Sequence, residues 1–155
     1  MVIIKKVKTI SELDVILPMI EKFHLTQEYC KQFSHASYLQ WLTFNASLPT
    51  TGIWIAYDES QVLQGITVPV GYAIVTIQTH FDRFEALIHE LYSEKGFIPV
   101  DMKRKALAEI IAWAKEVTGQ EKILLSCYTE SLAVVGILSA NYDFRLTRYY
   151  LTREV

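Results

Sequence analysis

The sequence predicts an α/β sandwich built around a mixed sheet. Three observations carry that expectation. Segments with short β-branched runs interleave with segments whose apolar residues recur every third or fourth position, so strands and helices alternate along the chain. The chain has 155 residues, of which 51% are apolar and 21% charged, the balance of a globular domain able to bury a core. No internal repeat, low-complexity tract or linker divides it, so one domain over residues 1–155 is expected.

Residues 2–7 are short and β-branched, a first strand. Ser11 then offers a capping hydroxyl with Asp14 three residues on, and Leu13, Ile16, Leu17 and Ile20 follow at helical spacing. Pro18 falls inside that pattern and should kink or split the helix. Thr26 is the expected cap of a second helix, in which Tyr29, Cys30, Phe33, Ser37, Trp41 and Phe44 make one face before an end near residues 45–49. Residues 52–57 form a compact strand closed by the polar run 58–61. Gly65, Pro69 and Gly71 predict an irregular loop ahead of a strand over 72–78, and a further strand covers 85–92. Asp101 is the expected cap of a third helix with Leu107, Ile110, Ile111, Ala114 and Val117 on its buried face and Gly119 as terminator. Residues 122–128 read as a buried strand, 131–140 as a short helix and 144–152 as the last one or two strands.

Charge narrows the partners. Fifteen basic against seventeen acidic residues give a net charge of −2, which argues against a polyanion such as nucleic acid as the main partner. The amino terminus places apolar residues before Lys5, Lys6 and Lys8, the reverse of a secretory signal, and no apolar run approaches the roughly 18–20 residues that span a bilayer. A cytoplasmic protein without a membrane partner is therefore expected, with Cys30 and Cys127 as reduced thiols. The histidines (His24, His35, His80 and His89) form no His-x-x-x-His pair, so no metal site is expected. Neither a Gly-x-Ser-x-Gly elbow nor a phosphate-binding Gly-x-x-x-x-Gly-Lys-Ser/Thr loop is present.

Trp54-Ile55-Ala56-Tyr57, Val70-Gly71-Tyr72-Ala73-Ile74-Val75, Glu90-Leu91-Tyr92-Ser93 and the helix from Ala106 to Lys115 follow one another in the order and spacing of a known family. On these segments the chain resembles the GNAT superfamily of acyl-CoA-dependent N-acyltransferases over nearly its whole length. The resemblance implies a mostly antiparallel mixed sheet, splayed between its fourth and fifth strands and flanked by helices on both faces. It also implies acetyl-CoA as acyl donor and a primary amine, on a small molecule or a protein, as acceptor. A homodimer is a further possibility it raises. The pantetheine edge would be Leu91, Tyr92 and Ser93, and the pyrophosphate would meet Met102, Lys103, Arg104, Lys105 and Ala106 at a helix start, where unpaired N–H groups and the helix dipole favour an anion. The family's glycines are missing there: Pro99, Met102 and Arg104 stand at the motif positions, and no glycine lies between Gly96 and Gly119. The triplet Lys103-Arg104-Lys105 offers side-chain cations in their place.

Acyl transfer to an amine needs a base for the amine's proton and an acid for the leaving thiolate. Glu90 matches the family's acidic position, with Glu85 and His89 as further candidates on the same strand; if that strand is regular, Glu85 and Glu90 face opposite ways. Aligning Asn141-Tyr142 with the family's last-helix motif puts Ile137 where a tyrosine acid is common. In the family the first two helices border the acceptor site, so the resemblance assigns Tyr29, Tyr38 and Trp41 to an acceptor pocket. Two readings stay open: an N-acyltransferase, or a binding or regulatory domain that keeps the fold without the cofactor.

Overall fold

β1 (Val2–Lys6) lies on one edge of a five-stranded sheet whose order is β1-β2-β3-β4-β5. The computed structural model describes residues 1–25, 34–63, 65–80, 83–94, 98–127 and 139. Within these, β2 (Thr51–Leu63), β3 (Ile66–His80) and β4 (Arg83–Ser93) form an antiparallel meander with β1, and β5 (Leu124–Cys127) joins β4 in parallel. A parallel neighbour needs a crossover, and α3 (Val100–Thr118) supplies it. The expected helix over 131–140 and the strands over 144–152 lie outside the described residues, apart from a helical Ser139.

Each face of the sheet carries its own core. On one face Leu13, Ile16, Met19 and Ile20, with Leu42, pack on Ile53, Ile55, Tyr72 and Ile74. On the other, Leu107, Ile110, Trp113 and Ala114 of α3 pack on Trp54, Ala73, Val75, Ala86 and Ile88. The alternation of Ile53 and Ile55 with Trp54, and of Tyr72 and Ile74 with Ala73 and Val75, is the period-two pattern of strands buried on both sides. Each such aliphatic side chain stabilises by roughly 1.5–3 kcal/mol on full burial.

Pro18 splits the first helical segment as expected. Residues Ile10–Ile16 form a 3-10 helix and α1 (Leu17–Leu25) follows, with Pro18 in its first turn where no N–H is needed. The cap sits two residues earlier than expected: the Glu12 carboxylate accepts from the Thr9 N–H at 2.9 Å and the Lys8 N–H at 3.1 Å, so Thr9 and Glu12 replace Ser11 and Asp14. α2 (His35–Ala46) starts at a Ser34 cap whose hydroxyl accepts from the Ser37 N–H. Ser34 is extended, so no helix runs continuously from Thr26 into α2, and Thr26, Tyr29, Cys30 and Phe33 lie outside the described residues. Phe44 is 65% exposed and is not core.

The loop expected around Gly65, Pro69 and Gly71 is largely strand. β2 continues through the polar run after Tyr57, and β3 begins at Ile66. Register shifts at Ala56/Tyr57 and Asp58/Val62 put bulges beside Pro69, which removes the conflict between a proline and a regular ladder. At the start of α3 the capping position is Pro99 rather than Asp101, which lies in the first turn. Gly119 closes α3 in the left-handed conformation with φ 66°, as expected. Val117 is exposed on that helix, and Leu124 of β5 is exposed although a buried strand was expected there.

Candidate active site

Glu90 is the centre of the polar residues on the α1/α2 face. It is 6% exposed, and three side chains from three elements converge on it. The Tyr38 hydroxyl (α2) donates to Oε1 at 2.8 Å, the Tyr72 hydroxyl (β3) donates to Oε2 at 2.7 Å, and His24 Nε2 (α1) is 2.8 Å from Oε1. Facing an ionised carboxylate, which only accepts, His24 would carry its hydrogen on Nε2. Burial of a carboxylate costs several kcal/mol, and three charge-assisted hydrogen bonds of about 1.5–3 kcal/mol each offset it. Burial, then the nearby Glu90 charge, pushes the phenols of Tyr38 and Tyr72 far above their ordinary range, so both remain donors.

A β-bulge sets this geometry. Ile74 pairs with Glu90 but Val75 pairs with Ile88, so His89 is an extra residue on β4. Beyond it Glu90 returns to the face already occupied by Leu87 and His89. Glu85 and Glu90 therefore share one face, contrary to the expectation for a regular strand. His89 meets Thr76 Oγ1 at 2.7 Å through Nε2, and the Trp41 ring stands edge-on to it at 5.5 Å. Burial depresses the His89 pKa below 6.5, with Glu90 opposing the shift, so the ring is neutral near pH 7. Trp41 in turn lies against Tyr38 at 5.6 Å. Tyr38, Trp41, His89 and Glu90 are thus contiguous, while Tyr29 lies outside the described residues. Glu85 is 2% exposed and accepts from the Ser126 hydroxyl of β5. It is on the order of 15 Å along the strand from Glu90 and belongs to a separate contact.

Three members of this cluster were not singled out from sequence: His24, Tyr72 and Thr76. His24 continues the Ile16, Ile20 row at i+4, a histidine on an apolar helical stripe. Thr76 continues the alternation of Tyr72 and Ile74. Both periodicities were visible, but the partners that make them polar positions lie 66 and 13 residues away.

The far end of β4 has a different character. β5 pairs with β4 only from Glu85 to Ile88, so among the described residues no strand flanks β4 from His89 to Ser93 on that side. Leu91 is exposed there; Tyr92 and Ser93 are half-buried. The Tyr92 hydroxyl donates to Glu94 at 3.0 Å, and Lys22 of α1 bridges both oxygens of Glu94 at 2.8 and 2.9 Å. At the start of α3 no side chain caps the helix, Lys103 is half-buried and Lys105 exposed. Arg104 reaches Asp101 at 3.8 Å, and Met102 and Ala106 are half-buried. Among the described residues no helix is long and apolar enough to cross a membrane, and no group of three His, Cys, Asp or Glu is placed to hold a metal ion.

This sheet order, with a crossover helix between β4 and β5, superposes end to end on solved acetyltransferases. An aminoglycoside antibiotic 6'-N-acetyltransferase from Acinetobacter baumannii matches with a TM-score of 0.72 at 11% identity, covering 100% of this chain and 99% of that one. This is the GNAT fold. An aminoglycoside N-acetyltransferase in complex with CoA also has this GNAT architecture, with a TM-score of 0.71 at 11% identity over 99% of this chain and 95% of that one. So does a transcriptional regulator from Bacillus halodurans, with a TM-score of 0.69 at 14% identity over the full length of both chains. At such identities the likeness is one of fold. No family model and no curated protein matches the sequence.

Proposed function

We propose that this GNAT-fold chain transfers an acyl group, acetyl in the simplest case, from acyl-CoA to a primary amine. The observation that carries the reading is the Glu90 carboxylate, buried on β4 within the stretch that β5 leaves unflanked and held by donors from three other elements. A core needs no such group, whereas amine acylation needs a proton acceptor. Bound acyl-CoA would supply a thioester carbonyl for the amine to attack, and the C–S bond would break to release CoA as a thiolate that takes a proton from solvent. Tyr38 is the most exposed of the three donors, so it is the first to meet an acceptor amine, with Trp41 beside it. The amine's proton passes to the Tyr38 oxygen as the phenol's own proton passes to Glu90 Oε1. His89 is neutral near pH 7 and stands next to this path as a second acceptor.

The edge formed by Leu91, Tyr92 and Ser93 fits an extended amide arm, whose backbone groups would continue the sheet. The uncapped start of α3, with Lys103, Arg104 and Lys105 in its first turns, fits a pyrophosphate. Asp101 opposes an anion there, and the absence of glycine between Gly96 and Gly119 favours the second reading, a GNAT-fold binding domain that no longer takes acyl-CoA.

Calorimetry with acetyl-CoA and free CoA separates the two. The transferase reading expects micromolar binding, weakened at least about tenfold, or 1.4 kcal/mol, in a Lys103→Ala/Arg104→Ala/Lys105→Ala variant. No binding of either compound up to millimolar concentration overturns it and leaves the binding domain.

A further inference from the structure

We propose that His24 is a positioning residue for Glu90: its Nε2–H fixes the carboxylate's orientation and favours its ionised form before Tyr38 hands it a proton. The proposal rests on the reading of Glu90 as proton acceptor.

The packing around His24 gives the first argument. The ring is buried at 8% exposure, with the Phe23 ring at 5.4 Å and the Tyr38 ring at 4.7 Å, both edge-on. A phenylalanine or leucine would fill such an apolar aromatic setting without the cost of burying a polar ring. What the imidazole adds is a donor aimed at Oε1, 2.8 Å away.

The division of labour at Glu90 gives the second. Among the described residues Tyr72 serves Oε2, whereas His24 and Tyr38 share Oε1. If Tyr38 is the group that meets the amine, its bond to Oε1 is remade in each cycle. His24 is the donor that stays. It keeps Oε1 supported during the transfer, and a carboxylate short of donors in an apolar setting favours its protonated form.

The mounting of His24 gives the third. α1 is tied to one segment twice, through His24 to Glu90 on β4 and through Lys22 to Glu94 just past the end of β4. The Lys22 bridge anchors the helix but offers nothing to Glu90, which makes it the natural control. Among the described residues the titratable side chains facing Glu90 are His24 from α1, Tyr38 from α2, Tyr72 from β3 and the adjacent His89 of β4.

The test is infrared spectroscopy of the carboxyl stretch followed across a pH series, with the Glu90→Gln spectra subtracted to isolate Glu90. His24→Phe is expected to shift the Glu90 protonation equilibrium toward the acid by on the order of tenfold relative to the parent. His24→Gln restores an N–H and is expected to return the transition to the parent's position; Lys22→Met is expected to leave it unchanged. A Glu90 transition in His24→Phe that coincides with the parent's overturns the proposal, and so does a Lys22→Met shift that matches His24→Phe, since packing of α1 would then be the cause. The unmodified protein supplies a check that needs no variant to fold. Nitrogen-15 resonances of labelled histidine are expected to show His24 protonated on Nε2, and a ring protonated on Nδ1 alone overturns the proposal. None of these readouts requires acyl-CoA, so failure of the cofactor to bind defeats the transferase reading and leaves this result to stand or fall separately.

Discussion

Two neighbouring residues on β4 sit in different polar settings. Glu90 is deeply buried but surrounded by donors, whereas His89 is half-buried beside a single hydroxyl, Thr76. Desolvation therefore dominates at His89 and depresses its pKa. The consequence for stability has a definite sign. Below 6.5 the unfolded chain binds more protons than the folded one at this position, so stability falls as the pH drops. The contribution is complete above 6.5 and is lost as the pH falls through the lowered folded value. Urea midpoints of the parent and a His89→Asn variant, measured from pH 7.5 to 5, are expected to converge on acidification as the parent loses the larger share. Parallel curves would show that His89 titrates alike in both states. His89 was legible as a candidate because histidine on a strand near Glu90 suggests a base. Its lowered pKa was not legible, since that depends on Trp41 and Thr76 closing over it.

Elements meet most closely where β3 passes the end of β4. A Cβ on Gly71 would stand 2.7 Å from the Tyr92 carbonyl oxygen and 2.6 Å from Ile98 Cδ1. The Ile98 methyl can turn away, but the carbonyl belongs to the ladder pairing Gly71 with Ser93. Gly71→Ala is therefore expected to destabilise by about 1–3 kcal/mol, the usual range for overpacking, as read from urea unfolding. A neutral result would mean that β4 shifts freely at this point, and the stretch proposed to carry the cofactor arm would then lack a fixed edge. The glycine was visible in the sequence and suggested a loop. Its cause is close approach between strands, which a single strand's residues do not record.

At the scale of the molecule, one sheet serves two cores, and β2 and β3 contribute buried residues to both. Loss of either layer exposes the other through the shared strands, so the two faces should unfold together. The tryptophans report this well, because Trp41 lies on the α2 face and Trp54 packs edge-on against Trp113 at 5.2 Å on the α3 face. Ile110→Ala, which opens the α3 core, is expected to cost about 2–5 kcal/mol and to lower the unfolding midpoint of a Trp41-only variant as much as that of one retaining Trp54 and Trp113. Separate midpoints would make the faces independent units. By itself the sequence determined the order of the elements from β1 to β5, the helical and strand periodicities, the split at Pro18 and the Gly119 stop. Those depend on neighbours a few residues apart, which local sterics and amphipathic spacing record. Only the tertiary structure decided that Glu85 and Glu90 share a face, because an extra residue in a ladder is defined by its partner strand. It alone brought His24, Tyr38 and Tyr72 onto one carboxylate, since a buried charge recruits donors from whatever elements pack over it, however far along the chain they lie.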